Sequence, residues 1–337
     1  MKRFVAVLQL ACTASAGSPA NPALVCWGGS AWAQHDHHSM AAMKTSSAAR
    51  LEVQDDTVAQ VLTLRVGPLN LPANSNHMAV AQAPTVFLEI PFDGWITAYH
   101  PRLMDGASQP APSRLLHHVA FYNTARPDFL CPNKQEHIFG AGSEMNDWPA
   151  LAGFGYRVYK GDRIRVSTMF HNPTATSYPQ TWLEVKLDYR SAAKGEPLKS
   201  VYPAWFDVGE CGNSGYDLGP GRTLKMGEFK LGFSGRLLGV GGHMHDYGRQ
   251  LDLFNVTRGE DIAALKAQLD PSGKIQGMPV VRFTDRGGYK LSKGDVLRVS
   301  SIYDNTLGKS IPEGAMGIVV GYFLPDNDAE VAALKKQ

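Results

Sequence analysis

Two stretches of this 337-residue chain are near copies of each other. Residues 160–172 read KGDRIRVSTMFHN and residues 293–305 read KGDVLRVSSIYDN, identical at seven of thirteen positions. Ile/Leu, Thr/Ser, Met/Ile and Phe/Tyr are near matches at four more. Lys-Gly-Asp predicts a turn, and the alternation after it predicts a strand with one buried face. A turn-plus-strand idiom that all-β proteins reuse accounts for the first positions. Identity running on to Asn172 and Asn305 favours a duplicated unit. The fixed offset of 133 residues suits a sandwich of eight or so short strands. The expectation is an all-β protein of two tandem antiparallel β-sandwich domains, 51–192 and 193–326, with a tail at 327–337. A polar joint containing Lys and Gly, 191–200, would link them.

Composition agrees. The chain is 44% hydrophobic and 19% charged, and its β-branched and aromatic runs are punctuated by 34 Gly and 21 Pro. Only 261–269 and 328–336 favour helix. The net charge of +2 is spread without a basic stripe, which argues against nucleic-acid binding. No phosphate-cradling glycine loop, nucleophile elbow or His-Glu-x-x-His motif is found.

The N-terminus reads as an address. Lys2 and Arg3 precede an apolar run, 4–11, and Ala31-Trp32-Ala33 has the small-x-small form of a cleavage site. Residues 1–33 are therefore expected to be a signal peptide, with cleavage after Ala16 as a shorter alternative. No other segment approaches the ~20 apolar residues of a membrane span. A periplasmic or secreted protein is expected. Residues 34–50, holding His35, His37, His38, Met40 and Met43, would form a flexible leader that is either solvated or loosely metal-binding. Cys12 and Cys26 fall in the discarded segment. Cys131 and Cys211 remain, and a disulfide between them is expected to contribute roughly 4–5 kcal/mol. Free thiols or metal ligands are the other reading.

The placement of histidines carries the chemistry. His117 and His118 lie in a run with strand composition, where neighbours point to opposite faces. They could share an ion only at a strand end or twist. A third ligand is expected from His171, or from Met169 two residues before it on the same face. His243 and His245 stand two apart, the simplest way for a sheet to offer two imidazoles to one ion. Gly241 and Gly242 just before them permit close approach. Met316 opens an apolar strand in the same domain. Methionine is normally core filler, but two imidazoles and a thioether form a soft set that suits copper better than zinc. His77, His100 and His137 are expected to be satisfied by hydrogen bonds. Glu144, Asp147 and Trp148 are expected in a loop over the sandwich end, with no role.

One ordered set of residues spans roughly 87–325: the His117-His118 pair, Phe154-Gly155-Tyr156-Arg157-Val158, the strand bearing His171, His243-x-His245, Tyr303-Asp304-Asn305 and Met316. In this order the sequence resembles the type II copper, ascorbate-dependent monooxygenases, the family of peptidylglycine α-hydroxylating monooxygenase and dopamine β-monooxygenase. The resemblance implies two jelly-roll-like domains facing a solvent-filled cleft, with two copper ions per chain. One ion, at His117, His118 and His171, would pass electrons. The other, at His243, His245 and Met316, would activate dioxygen. The reaction implied is hydroxylation of a C–H bond in a small molecule, with an external electron donor such as ascorbate. The sequence departs from the family at three places. Met169-Phe170-His171 stands where some members carry His-Tyr-His and ligate through the first histidine. Gly241 stands where amidating members carry an Arg for the substrate carboxylate. Ile318 and Val320 stand where they carry Asn and Tyr. Peptide amidation is therefore not expected, and a less polar or bulkier substrate is. The alternative is a non-enzymatic exported protein that binds or delivers copper on the same fold.

Overall fold

The alternation after each Lys-Gly-Asp becomes a strand, Arg163–Phe170 and Val296–Asn305, in the computed structural model, which describes residues 44–334 apart from Met145, Asn146 and Pro149. The expected signal peptide and the His/Met-rich part of the leader lie outside the described residues. In the first half, strands Arg50–Asp56, Val61–Leu71, Tyr178–Ser191, Gly94–Met104 and Phe154–Val158 lie side by side in that order. A second sheet orders Val86–Glu89, Arg163–Phe170, Leu116–Pro127 and Gln135–Gly142. Leu62, Leu64, Val66 and Tyr99 of one sheet meet Leu88, Val119, Phe121 and Val166 of the other. Full burial of each such side chain contributes about 1.5–3 kcal/mol.

The second half repeats the plan. Gly221–Lys230, Val296–Asn305, Gly248–Asn255 and Glu260–Lys266 form one antiparallel sheet. Tyr202–Asp207, Gly317–Pro325 and Gly235–Met244 form the other, edged by the short strands Val281–Arg282 and Tyr289–Leu291. The duplication extends to single hydrogen bonds. Asp162 accepts from Tyr159 N (3.0 Å), Asn123 Nδ2 (3.4 Å) and Arg126 (3.2 Å). Asp295 accepts from Ser292 N (3.0 Å), Asn255 Nδ2 (3.2 Å) and Arg258 (2.7 Å). The glycines between hold matching left-handed conformations, φ 88° at Gly161 and 91° at Gly294, which a side chain would strain. Both sandwiches are antiparallel and all-β, apart from a short parallel edge where Lys199–Ser200 joins Phe154–Val158. That edge, at Lys199–Ser200, lies at the end of the joint expected at 191–200.

Two expectations are corrected. The stretch 261–269, which favours helix, forms strands Glu260–Lys266 and Gln268–Leu269. The register shifts beside Ile262, so Ile262 and Leu265 are both buried, and their helix-like spacing of three comes from a bulge. The end of the expected flexible leader is tied down: Ser46 N donates to Gln82 O and Gln82 N to Lys44 O, each at 2.7 Å. The C-terminal expectation survives as a short helix, Asp328–Ala332, capped by Asn327. Among the described residues no helix is long and apolar enough to cross a membrane.

The two halves touch. Cys131 and Cys211 form a disulfide with Cα atoms 5.6 Å apart, and beside it Phe129 stacks on Phe323 at 5.2 Å. His137 lies flat on Trp205, 3.4 Å between ring centres. Trp148 covers Gly241, where a Cβ would come within 2.9 Å of the indole. These aromatic contacts border a cavity of about 40 Å³ lined by residues of both halves.

Candidate metal centre

A single-residue bulge assembles the first ligands. A 3-10 turn, Ser113–Leu115, leads into strand Leu116–Pro127. There Leu116 pairs with Phe170 but His118 pairs with Met169, leaving His117 unopposed. The bulge breaks strict alternation. The Nδ1 atoms of His117 and His118 consequently stand 3.1 Å apart. His171 begins where strand Arg163–Phe170 ends, its backbone N–H donating to Leu115 O at 3.1 Å. The ring of His171 lies 5.1 Å from that of His117. Met169 is buried across the strand pair from His118.

The second group sits at the other half's strand end. His243 lies inside Gly235–Met244, and His245 is the first residue beyond it. Their ring centres are 5.4 Å apart. His243 Nδ1 donates to Glu144 Oε1 at 2.9 Å, and the same oxygen accepts from Gly142 N at 2.8 Å. Both side chains are buried, and Nε2 of His243 has no hydrogen-bond partner, as is also true of Nε2 of His171. The Tyr303 hydroxyl accepts from the backbone N–H groups of His245 (2.9 Å) and Met316 (3.1 Å) and donates to Met316 O. One buried phenol thereby fixes the backbone of two candidate ligands.

The two groups do not stay apart. The ring of His245 lies 4.7 Å from that of His117. His118, His243 and Met316 line one cavity, together with His137, Trp148, Trp205, Ile318 and Val320. Burial, reinforced by the neighbouring imidazoles of His245, His118, His171 and His77, holds His117 well below the ordinary histidine range. Burial also lowers His171 to about 4, against the pull of Asp246. For His243 burial acts downward too, but the charge and hydrogen bond of Glu144 outweigh it and leave the group raised. Neutral imidazoles at His117 and His171 are the protonation state a metal requires.

Imidazole nitrogens with one thioether suit copper, and the partnerless buried Nε2 atoms of His171 and His243 fit a bound cation. Among the described residues no group of three or more His, Cys, Asp or Glu side chains is arranged so that it could hold a metal ion. His100 is placed elsewhere, between Asp188 at 3.3 Å and Asp147 at 3.6 Å. The sequence reading assigned no role to Glu144 and expected a hydrogen-bonded His77, whose ring lies 5.4 Å from that of His117. Tyr303 was visible only as part of an ordered motif.

No family model matches the chain. It is 24% identical over 233 residues to "Probable copper-dependent oxygenase clz3" of Cochliobolus lunatus, covering 62% of this chain and 72% of that protein. It is 25% identical over 234 residues to "Probable copper-dependent oxygenase M1" of a Phoma species, covering 62% of this chain and 57% of that protein. Among solved structures it is similar to the major capsid protein P2 of bacteriophage PM2, with 12% identity, 78% and 98% of the two chains covered and a TM-score of 0.34. A chain of Sulfolobus Turreted Icosahedral Virus gives 11%, 86%, 96% and 0.36. Likeness at that level carries no argument.

Proposed function

We propose that this chain is a copper-dependent monooxygenase that hydroxylates a C–H bond of a small, largely apolar molecule, using dioxygen and an external reductant such as ascorbate. One observation carries the reading: His117, His118 and His171 of one half converge with His243, His245 and Met316 of the other where the halves meet. The relatives' names support the metal and the oxidative chemistry. Copper bound here would supply the redox steps that make dioxygen reactive toward a C–H bond.

The chain's own residues prepare the site. Glu144 accepts the Nδ1 proton of His243, which fixes the tautomer and presents Nε2. Tyr303 holds the backbone of His245 and Met316 in register. Trp148, Trp205, Ile318 and Val320 give the same cavity an apolar wall. Trp148 over Gly241 supports a substrate without the carboxylate anchor of peptide-amidating enzymes. The reading includes an exported location, which the disulfide supports.

The test is oxygen uptake by the copper-loaded protein with ascorbate, over a panel of small apolar molecules and glycine-extended peptides. Wild type should consume oxygen in step with hydroxylation of an apolar substrate. His117→Ala and His243→Ala should each lose at least about a hundredfold in catalytic efficiency. Uptake insensitive to both changes would mean adventitious copper, and the chain would then be a copper-binding protein. Efficient amidation of the peptides would overturn the substrate assignment.

A further inference from the structure

We propose that Trp205, His137 and Tyr122 form a stacked path through which one oxidising equivalent leaves the cavity between the halves for the surface of the first sandwich. The path protects the side chains of the cavity when dioxygen is reduced with no substrate in place. This rests on the copper oxygenase reading for the source of the oxidant. It goes beyond that reading by giving a redox task to residues outside the candidate ligands.

The column begins at the cavity. Trp205, on strand Tyr202–Asp207 of the second half, lines it with His118, His243 and Met316, and clusters with Met316 and Ile318. The indole lies flat on His137, with ring centres 3.4 Å apart and planes 5° from parallel. His137 in turn stacks on Tyr122 at 4.3 Å and 25°. The Arg165 guanidinium stands 4.2 Å from the centre of the Tyr122 ring, and Tyr122 is half-buried. Strand register builds this outer part. After a bulge between Phe121 and Tyr122, Tyr122 pairs with His137 on one side and Arg165 on the other, so the three side chains form one row across the sheet. Gly140 admits the indole from the other half, since a Cβ there would come within 2.8 Å of Trp205 Cη2. Trp148, also lining the cavity, meets Tyr322 edge-on instead, at 5.5 Å and 81°, a contact with little overlap of ring faces.

Overlapping ring faces let an electron pass from one ring to the next, and indole and phenol give one up readily. An oxidant left in the cavity takes one electron from Trp205. Nε1 of Trp205 is buried without a hydrogen-bond partner, so no base takes its proton and the indole remains a radical cation. One electron from Tyr122 refills it across His137, whose ring is harder to oxidise than either neighbour and serves as a spacer. Tyr122 releases its phenolic proton to solvent and becomes a neutral phenoxyl radical. The Arg165 cation over the ring opposes positive charge there and favours that proton loss. An external reductant of the ascorbate class then returns a hydrogen atom and restores the phenol. The net change is one electron passed from reductant to oxidant and one proton released.

The experiment adds hydrogen peroxide, without substrate, to the copper-loaded full chain after reduction by ascorbate and removal of the excess. One sample is frozen for electron paramagnetic resonance, and another is digested and mapped by mass spectrometry. Wild type should show a tyrosyl radical and carry its oxidation chiefly at Tyr122. Tyr122→Phe, which keeps the ring, should lose most of the signal. Its oxygen addition should move inward to Trp205 and the thioether of Met316, about threefold or more above wild type. Tyr322→Phe should match wild type in both measurements. Absence of a tyrosyl signal in copper-loaded wild type overturns the proposal without any substitution. A signal and oxidation map unchanged in Tyr122→Phe, or an equal loss in Tyr322→Phe, also overturn it. The copper oxygenase reading stands in each of these cases. Failure of the wild-type chain to take up copper overturns both.

Discussion

Glu144 reaches from the loop after strand Gln135–Gly142 to His243 in the other half, and its second carboxylate oxygen is buried without a partner. Removing the carboxylate frees His243 to rotate or change tautomer. Glu144→Ala should therefore weaken copper binding about ten- to a hundredfold, and Glu144→Gln, which keeps an acceptor, should recover part of it. Chelator competition measures both, and equal affinity in all three proteins would remove Glu144 from the site. Glu136 gives a prediction in pH. Burial raises its carboxyl to about 7, although Arg126 and the Tyr156 hydroxyl (2.5 Å) act the other way. The folded state therefore favours the protonated acid. Its contribution is complete below the unfolded carboxylate range and is lost as pH rises toward 7. The loss should reach roughly 3 kcal/mol. Denaturant unfolding of wild type and Glu136→Gln at pH 5 and pH 8 should show the variant gaining on wild type by that order at the higher pH. A gap that does not change with pH would contradict it.

At the scale of elements, the two Lys-Gly-Asp strands are closed by asparagines that act alike, Asn172 two residues beyond Arg163–Phe170 and Asn305 at the end of Val296–Asn305. Asn172 is fully buried and donates to Leu71 O (2.9 Å) and Thr176 O (2.8 Å). Asn305 donates to Gly219 O (3.0 Å) and Lys309 O (2.8 Å). Each pins the loop after its strand to a neighbouring segment. Truncation to Ala leaves two carbonyls unsatisfied, and each substitution should cost about 2–4 kcal/mol by thermal or denaturant unfolding. Asn172→Ala should also disturb copper binding, because Asn172 follows His171, while Asn305→Ala should do so less. A cost under about 0.5 kcal/mol at either position would mean the loops are held by other bonds.

For the whole molecule, the Cys131–Cys211 disulfide joins a loop of the first half to the second half, closing 80 residues of chain. Replacing both cysteines by Ser should lower stability by roughly 2–5 kcal/mol. The loop carrying Phe129 should loosen from Phe323. Glu144 and His243 belong to different halves, so copper retention should fall with stability. Calorimetry together with copper analysis of the double variant tests this. Unchanged melting would show that the aromatic contacts between the halves suffice.

What the sequence determined by itself is the repeated, local part. The Lys-Gly-Asp turn, the alternation after it and the closing asparagine are each satisfied within or next to one strand, so their recurrence reported two all-β units. The Cys131–Cys211 bond, though it spans 80 residues, was read from the number and placement of the cysteines alone. The helix expected at 261–269 misled because a bulge at Ile262 imitates helical spacing, and only the pairing with Gly248–Asn255 creates that bulge. The site was legible as residue types and order but not as an arrangement. His117 meets His245 because the two halves pack, and His118 and His117 approach because the register slips by one residue against Phe170 and Met169. Glu144 and His77 carried no pattern to read. Their positions come from long-range packing that brings a carboxylate to His243 and a loop to His171, and such contacts are fixed by burial over the whole molecule and not by neighbours in the chain.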